Sequence, residues 1–132
     1  MSTFPPLTHV ALTVRDLSVS VPWYEALFDA EPVLDEDTDP GFHHTVYVLG
    51  NGTLIGLHQH QTRAPAEVFS EYRVGLDHVA FGCANRGELE KWAARLDELG
   101  VLHGGVKDAS YGSGVSFRDP DGIPLEFFAP PN

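Results

Sequence analysis

Two histidines that recur at one spacing are the residues of this chain best placed to do chemistry. Thr8-His9-Val10-Ala11-Leu12 returns 69 positions later as Asp77-His78-Val79-Ala80-Phe81, and the pairs Leu7/Leu76, Trp23/Trp92 and Leu27/Leu96 keep the same offset. Near the close of each half, Leu57-His58 aligns with Leu125-Glu126 at an offset of 68. Two copies of one unit, each opening on His and closing on His or Glu, form a candidate metal cage. Imidazole nitrogen and carboxylate oxygen together suit Fe, Zn, Ni, Co or Mn, and His9, His78 and Glu126 also match the two-histidine, one-carboxylate face of non-haem iron sites. Glu126 sits in the apolar run Ile123-Pro124-Leu125-Glu126-Phe127-Phe128, where an unpartnered carboxylate is costly to bury and a cation would offset that cost. His58 is a candidate fourth ligand, His60 on the same strand face could replace it, and either could instead be an acid–base group. Glu126, His58 and His60 are the candidates for moving a proton.

These residues need elements that aim them. Leu7–Val14 reads as a strand and is followed by a helix capped by Asp16 or Ser18, with Leu17, Val21, Tyr24 and Phe28 at helical spacing. Strands are expected around 31–35, 43–49 and 53–60, the last two joined by the hairpin signal Gly50-Asn51-Gly52. The polar stretch 61–73, with Pro65, reads as a linker. The second half repeats the plan. A strand spans 75–83, a helix runs from Arg86 to Leu99 and stops at Gly100, and strands follow near 101–107, 114–118 and 123–129. Each half is strand–helix–strand–strand–strand, with module 1 at about 5–60 and module 2 at about 74–130. Alternate side chains of a strand face opposite ways, so one face of each half-sheet is free to line a cavity.

Composition narrows the function. The 132 residues carry 19 acidic and 8 basic side chains, a formal charge of −11. Phosphate neutralisation needs clustered Lys and Arg, so nucleic acid and anionic membrane surfaces are excluded as partners. A small-molecule substrate or a cation fits the balance better. One cysteine, Cys83, gives no disulfide framework, and with neither a signal peptide nor a long apolar run the expected location is the cytoplasm.

The motifs Thr8-His9-Val10-Ala11-Leu12-Thr13-Val14-Arg15-Asp16-Leu17, Leu76-Asp77-His78-Val79-Ala80-Phe81 and Phe117-Arg118-Asp119-Pro120-Asp121-Gly122-Ile123-Pro124-Leu125-Glu126 resemble those of the vicinal oxygen chelate superfamily. That superfamily includes glyoxalase I, methylmalonyl-CoA epimerase, extradiol dioxygenases, and fosfomycin and bleomycin resistance proteins. The resemblance implies an α+β fold of two βαβββ modules forming an open, cup-shaped mixed sheet around one divalent metal, usually in a homodimer. It places metal ligands at His9, His78 and Glu126, with the fourth position near His58. The implied activity is lyase, isomerase or dioxygenase chemistry on a small metabolite with vicinal oxygens. The alternative is non-catalytic sequestration of a cationic or aromatic molecule, as in the bleomycin resistance proteins. Ser116 stands where the dioxygenases carry Tyr, which counts against catechol cleavage, and the shortage of basic residues counts against a phosphonate substrate.

Further residues complete the expected site. Tyr111, in Ser110-Tyr111-Gly112-Ser113-Gly114, is placed on a rim, and Leu57, Phe81 and Phe128 as apolar lining for substrate. One of His43 and His44 points inward, His103 is surface, and Trp23 and Trp92 are core.

Overall fold

In the computed structural model, residues 2–38, 41–62 and 68–131 are described; Pro65 of the expected linker lies outside them. The chain divides into two compact units, Met1–Glu67 and Val68–Asn132. The first contains β1 (His9–Thr13), α1 (Leu17–Phe28), β2 (Leu34–Asp37), β3 (Phe42–Val48) and β4 (Leu54–His60). The second contains β5 (Val79–Gly82), α2 (Arg86–Glu98), β6 (Lys107–Ala109), β7 (Gly112–Arg118) and β8 (Pro124–Ala129).

Each unit builds one four-stranded mixed sheet, ordered β1-β4-β3-β2 and β5-β8-β7-β6. The opening strand lies parallel to the closing one, and the remaining pairs are antiparallel. A parallel pair needs a crossover, and the helix in each unit supplies it. Asp16 caps α1 by accepting from the Ser18 amide at 2.9 Å. Asn85 caps α2 by accepting from Glu88, whose carboxylate returns to the Ala84 amide at 2.7 Å. That exchange satisfies one amide of the first helical turn and the amide just ahead of the cap. Gly100, at φ +72°, closes α2 with bonds back to its last turn.

One face of each sheet is buried under its helix. Leu12, Val14, Tyr24, Leu27, Tyr47 and Ile55 form the core of the first unit, and Leu89, Leu96, Val115, Phe117, Leu125 and Phe127 that of the second. Alternation then fixes the opposite face. It carries His9, Ala11 and Thr13 on β1, and Gly56, His58 and His60 on β4. The equivalent face of the second unit carries Ala80 on β5 and Glu126 and Phe128 on β8.

The expected strand over 101–107 is reduced to an isolated bridge, His103 to Phe117, with β6 beginning only at Lys107. Gly104 and Gly105, the latter at φ +75°, break the extension. The strand expected at 31–35 begins three residues later, at Leu34, after Pro32, which has no amide to give a ladder. In the turn between β7 and β8 the buried Asp119 carboxylate accepts from the Asp121 and Ile123 amides, each at 2.9 Å. The Asp of that motif therefore holds the hairpin ahead of Glu126. No helix of the described residues is long and apolar enough to cross a membrane.

Candidate functional site

In the second unit, His78 stands at the mouth of β5 and Glu126 on the neighbouring β8. Asp77 Oδ1 lies 2.6 Å from His78 Nδ1, so the carboxylate fixes the ring through that nitrogen. The other nitrogen, Nε2, lies 3.8 Å from Glu126 Oε1. Both side chains are partly open to solvent. Gly114, on β7, makes room for the carboxylate: a Cβ built there would sit 2.7 Å from Glu126 Oε2. Ser116 is the register partner of Glu126 on β7.

The first unit presents a similar histidine. His9 Nδ1 is engaged by the hydroxyl of the preceding residue, Thr8, at 2.9 Å. In both units, then, a side chain one residue earlier engages Nδ1, and Nε2 is the nitrogen left over to act as a ligand. Ligating histidines are oriented in this way by a partner on their second nitrogen.

The closing strands do not match as their sequences suggest. Ala11 pairs with Gly56, whereas Ala80, 69 residues later, pairs with Glu126. Gly56 is therefore the structural counterpart of Glu126, and the counterpart of His58 is Phe128. Alignment on Leu57 and Leu125 kept the correct face, because the shift is an even number of residues, but chose the wrong row. His58 nevertheless reaches into the Glu126-equivalent row, since a Cβ on Gly56 would lie 3.4 Å from His58 Nε2. Phe42 stacks on the His58 ring with centroids 4.4 Å apart, and His44 and His60 approach at 5.7 and 6.1 Å. Burial holds the His58 imidazole below its ordinary pKa, with the charges of His44, His60 and His9 adding to the effect.

A family model described as the Glyoxalase/Bleomycin resistance protein/Dioxygenase superfamily matches residues 7–127. The chain belongs to this superfamily. It is 29% identical over 127 residues to the metallothiol transferase FosB of Bacillus licheniformis, covering 91% of this chain and 72% of that protein. It is 25% identical to the FosB of Staphylococcus saprophyticus, over 91% of this chain and 74% of the relative. Among solved structures, a glyoxylase/bleomycin resistance protein/dioxygenase domain from Frankia sp. EAN1pec superposes with a TM-score of 0.86 at 30% identity, covering 98% of this chain and all of that one. The fosfomycin resistance protein FosX of Listeria monocytogenes shares the fold at 21% identity and a TM-score of 0.73, over 98% of this chain and 94% of its own. A FosX variant of the same fold was solved with Mn(II) and 1S,2S-dihydroxypropylphosphonic acid.

Several expected site residues of this superfamily member stand elsewhere. Leu57 is fully buried and Phe81 packs against the buried Phe127. Both occupy the helix-facing side of their strands, so strand alternation removes them from the substrate-facing set. Phe128 and Tyr111 remain on the open side, stacked with centroids 6.1 Å apart and with Tyr111 largely exposed. His44, in register with His58, is the inward member of its pair; His43 instead bonds Asp35 and Asp37. His103, expected at the surface, is half-buried, with Nε2 2.7 Å from Asp97 and Nδ1 accepting from the Gly105 amide. Trp92 stacks on Phe127 in the core.

Among the described residues no three His, Cys, Asp or Glu side chains converge closely enough to hold a metal ion. Within the second unit, an imidazole tethered at Nδ1 and a carboxylate seated over a glycine are donor types that suit a divalent cation. Sequence reasoning left open which of His43 and His44 points inward, and it missed Glu36 and the two glycines, 56 and 114. Their signal lies in strand pairing, which no single strand reveals.

Proposed function

We propose that this chain is a divalent-metal enzyme acting on a small, oxygen-bearing metabolite. His9, His78 and Glu126 hold the ion, within one chain or across two copies in a homodimer. The observation that carries this reading is the repeated tether, Thr8 on His9 and Asp77 on His78, each engaging Nδ1 and sparing Nε2. A bound metal would supply Lewis acidity to a substrate oxygen. His58, neutral at physiological pH because burial disfavours its charged form, is the group that takes up a proton. Phe128 and Tyr111 offer a flat apolar wall on the open side of the second sheet.

The reaction class is drawn from the relatives. Those named metallothiol transferases favour thiol-group transfer alongside the lyase, isomerase and oxygenase chemistry implied by the motifs. A phosphonate substrate is less well supported. Among the described residues the strands hold two basic side chains, Lys107 and Arg118, and Arg118 is engaged by Glu71 and the Gly122 carbonyl. A second reading, capture of a cationic molecule without turnover, is favoured by the −11 charge and the exposed acidic strand β2.

Elemental analysis of untagged protein, as isolated and after loading with Fe(II), Zn, Ni, Co or Mn, separates the two. Close to one metal per chain, lost in His9→Ala and His78→Ala, supports the enzyme. No metal under any condition sinks it and leaves ligand capture.

A further inference from the structure

Thr13, His58, His44 and Glu36 are register partners across four strands, forming one row on the open face of the first sheet. At its outer end Glu36, well exposed, places Oε1 3.2 Å from His44 Nε2. His44 is mostly covered and meets His58 nearly at right angles, 75° between ring planes. On its other side His58 is stacked by Phe42, only 13° from parallel. The ring is thus walled by neighbours on β3, and its Nε2 lies folded over Gly56.

We infer that Glu36 and His44 are a positioning pair for His58, holding its imidazole over Gly56 with one nitrogen open to accept a proton. This rests on the reading of His58 as the proton-moving group. The row separates the two imidazoles electrically. A proton on His44 faces the Glu36 carboxylate, whereas the titrating neighbours that bear on His58 are all imidazoles: His44 from β3, His60 from its own strand and His9 from β1. Burial and these imidazole neighbours together hold the His58 pKa below its ordinary value. Edge-to-face packing also limits rotation of the His58 ring, so the same nitrogen is presented each time. A base acts efficiently only when its free nitrogen is already aimed.

The test is long-range proton–nitrogen NMR of the imidazoles in the full chain, between about pH 5 and 8, with metal-free and Zn-loaded samples. Wild-type protein is expected to show one dominant neutral His58 tautomer and a cross-relaxation peak from the ring to the Gly56 α-protons. His44→Ala should mix the tautomers, weaken that peak and move the His58 titration to higher pH. His44→Phe keeps the wall and removes the charge, so the peak should survive while the titration still moves up. Glu36→Gln should loosen the ring without moving His58 as far. If His44→Ala does not fold, the Phe and Gln variants carry the test. An unchanged His58 spectrum across the folded variants would overturn the positioning pair. Zinc retention in the same samples reports on the metal reading independently. Protein that binds no zinc but shows the expected His58 changes refutes the metal centre and leaves the pair standing.

Discussion

Replacing Gly114 with Ala should weaken metal binding while leaving the fold intact. The added Cβ would lie 2.7 Å from Glu126 Oε2 and 3.1 Å from its Cδ, where ordinary contact begins at 3.4 Å. The carboxylate must retreat by about 0.7 Å, and it can, because it is the free end of a flexible side chain. Displacing a ligand or its support on this scale lowers metal affinity about 10–100-fold, which is ~1.4–2.8 kcal/mol. The chain itself should suffer little. Gly114 does not have the positive φ that disfavours Ala, and Gly→Ala at a compatible strand position gains about 0.4–1 kcal/mol through the unfolded state. Calorimetric titration with Mn(II) or Zn(II), beside thermal melts in chelator, measures both quantities. Gly112→Ala is the contrast. Its Cβ would overlap the Ala129 carbonyl and the Phe128 ring at φ +145°, so it should lower the melting temperature of metal-free protein. Wild-type metal affinity in Gly114→Ala, or affinity lost only together with the fold, would refute the reasoning.

Three further outcomes follow from the same geometry. Leu57→Ala should cost about 2–5 kcal/mol of stability and leave metal stoichiometry unchanged, because Leu57 is fully buried on the helix side; chemical denaturation and elemental analysis check this. Tyr47→Phe removes the bond from a buried hydroxyl to Glu25 and should cost about 1 kcal/mol, read from the same denaturation curves. The pH dependence of melting should split between two histidines. Hydrogen bonds to Asp35 and Asp37 raise the His43 pKa above 6.5, so its stabilisation is complete below 6.5 and is lost as pH rises through the folded value. The lowered His58 pKa acts in the opposite sense, and its neutral form destabilises the fold relative to the unfolded chain as pH falls below 6.5. His43→Gln should therefore lower the melting temperature at pH 6 more than at pH 8, whereas His58→Gln should remove a loss seen only at the acidic end.

The repeat made the fold legible. Period and punctuation located both helices and most strands, since Asp16, Asn85 and Gly100 act locally and their neighbours suffice to read them. Faces were legible too, because alternation is a property of one strand. His58 and His60 share the open face of β4, and Glu126 and Phe128 that of β8, whereas Leu57 and Phe81 have the opposite parity and face the helices. Register was not legible. It depends on how β1 meets β4 and how β5 meets β8, contacts 45 residues apart in the first case, His9 to Leu54. Nor could a sequence show that a glycine was a seat for a neighbour's carboxylate.

Register also makes the two sheets differ at equivalent positions. At one sheet position the second unit carries Glu126, and at the equivalent position the first carries Gly56. A carboxylate in both places would bring a second negative oxygen donor to the set. With glycine there, the place is reached instead by an imidazole from two residues further along β4, flanked by aromatic rings and kept uncharged by burial. An imidazole held by its neighbours on β3 is better suited to exchanging a proton than to adding a fourth charge-balancing ligand. On the proposed reading the ligand set is two nitrogens and one oxygen, which would leave coordination positions for substrate. A Gly56→Glu variant puts that to the test. The added carboxylate would displace the His58 ring, whose Nε2 lies 3.4 Å from the new Cβ. It should therefore tighten metal binding in calorimetric titration while removing the base. Weaker binding in a folded Gly56→Glu protein would mean that His58, and not the open row, belongs to the ligand set.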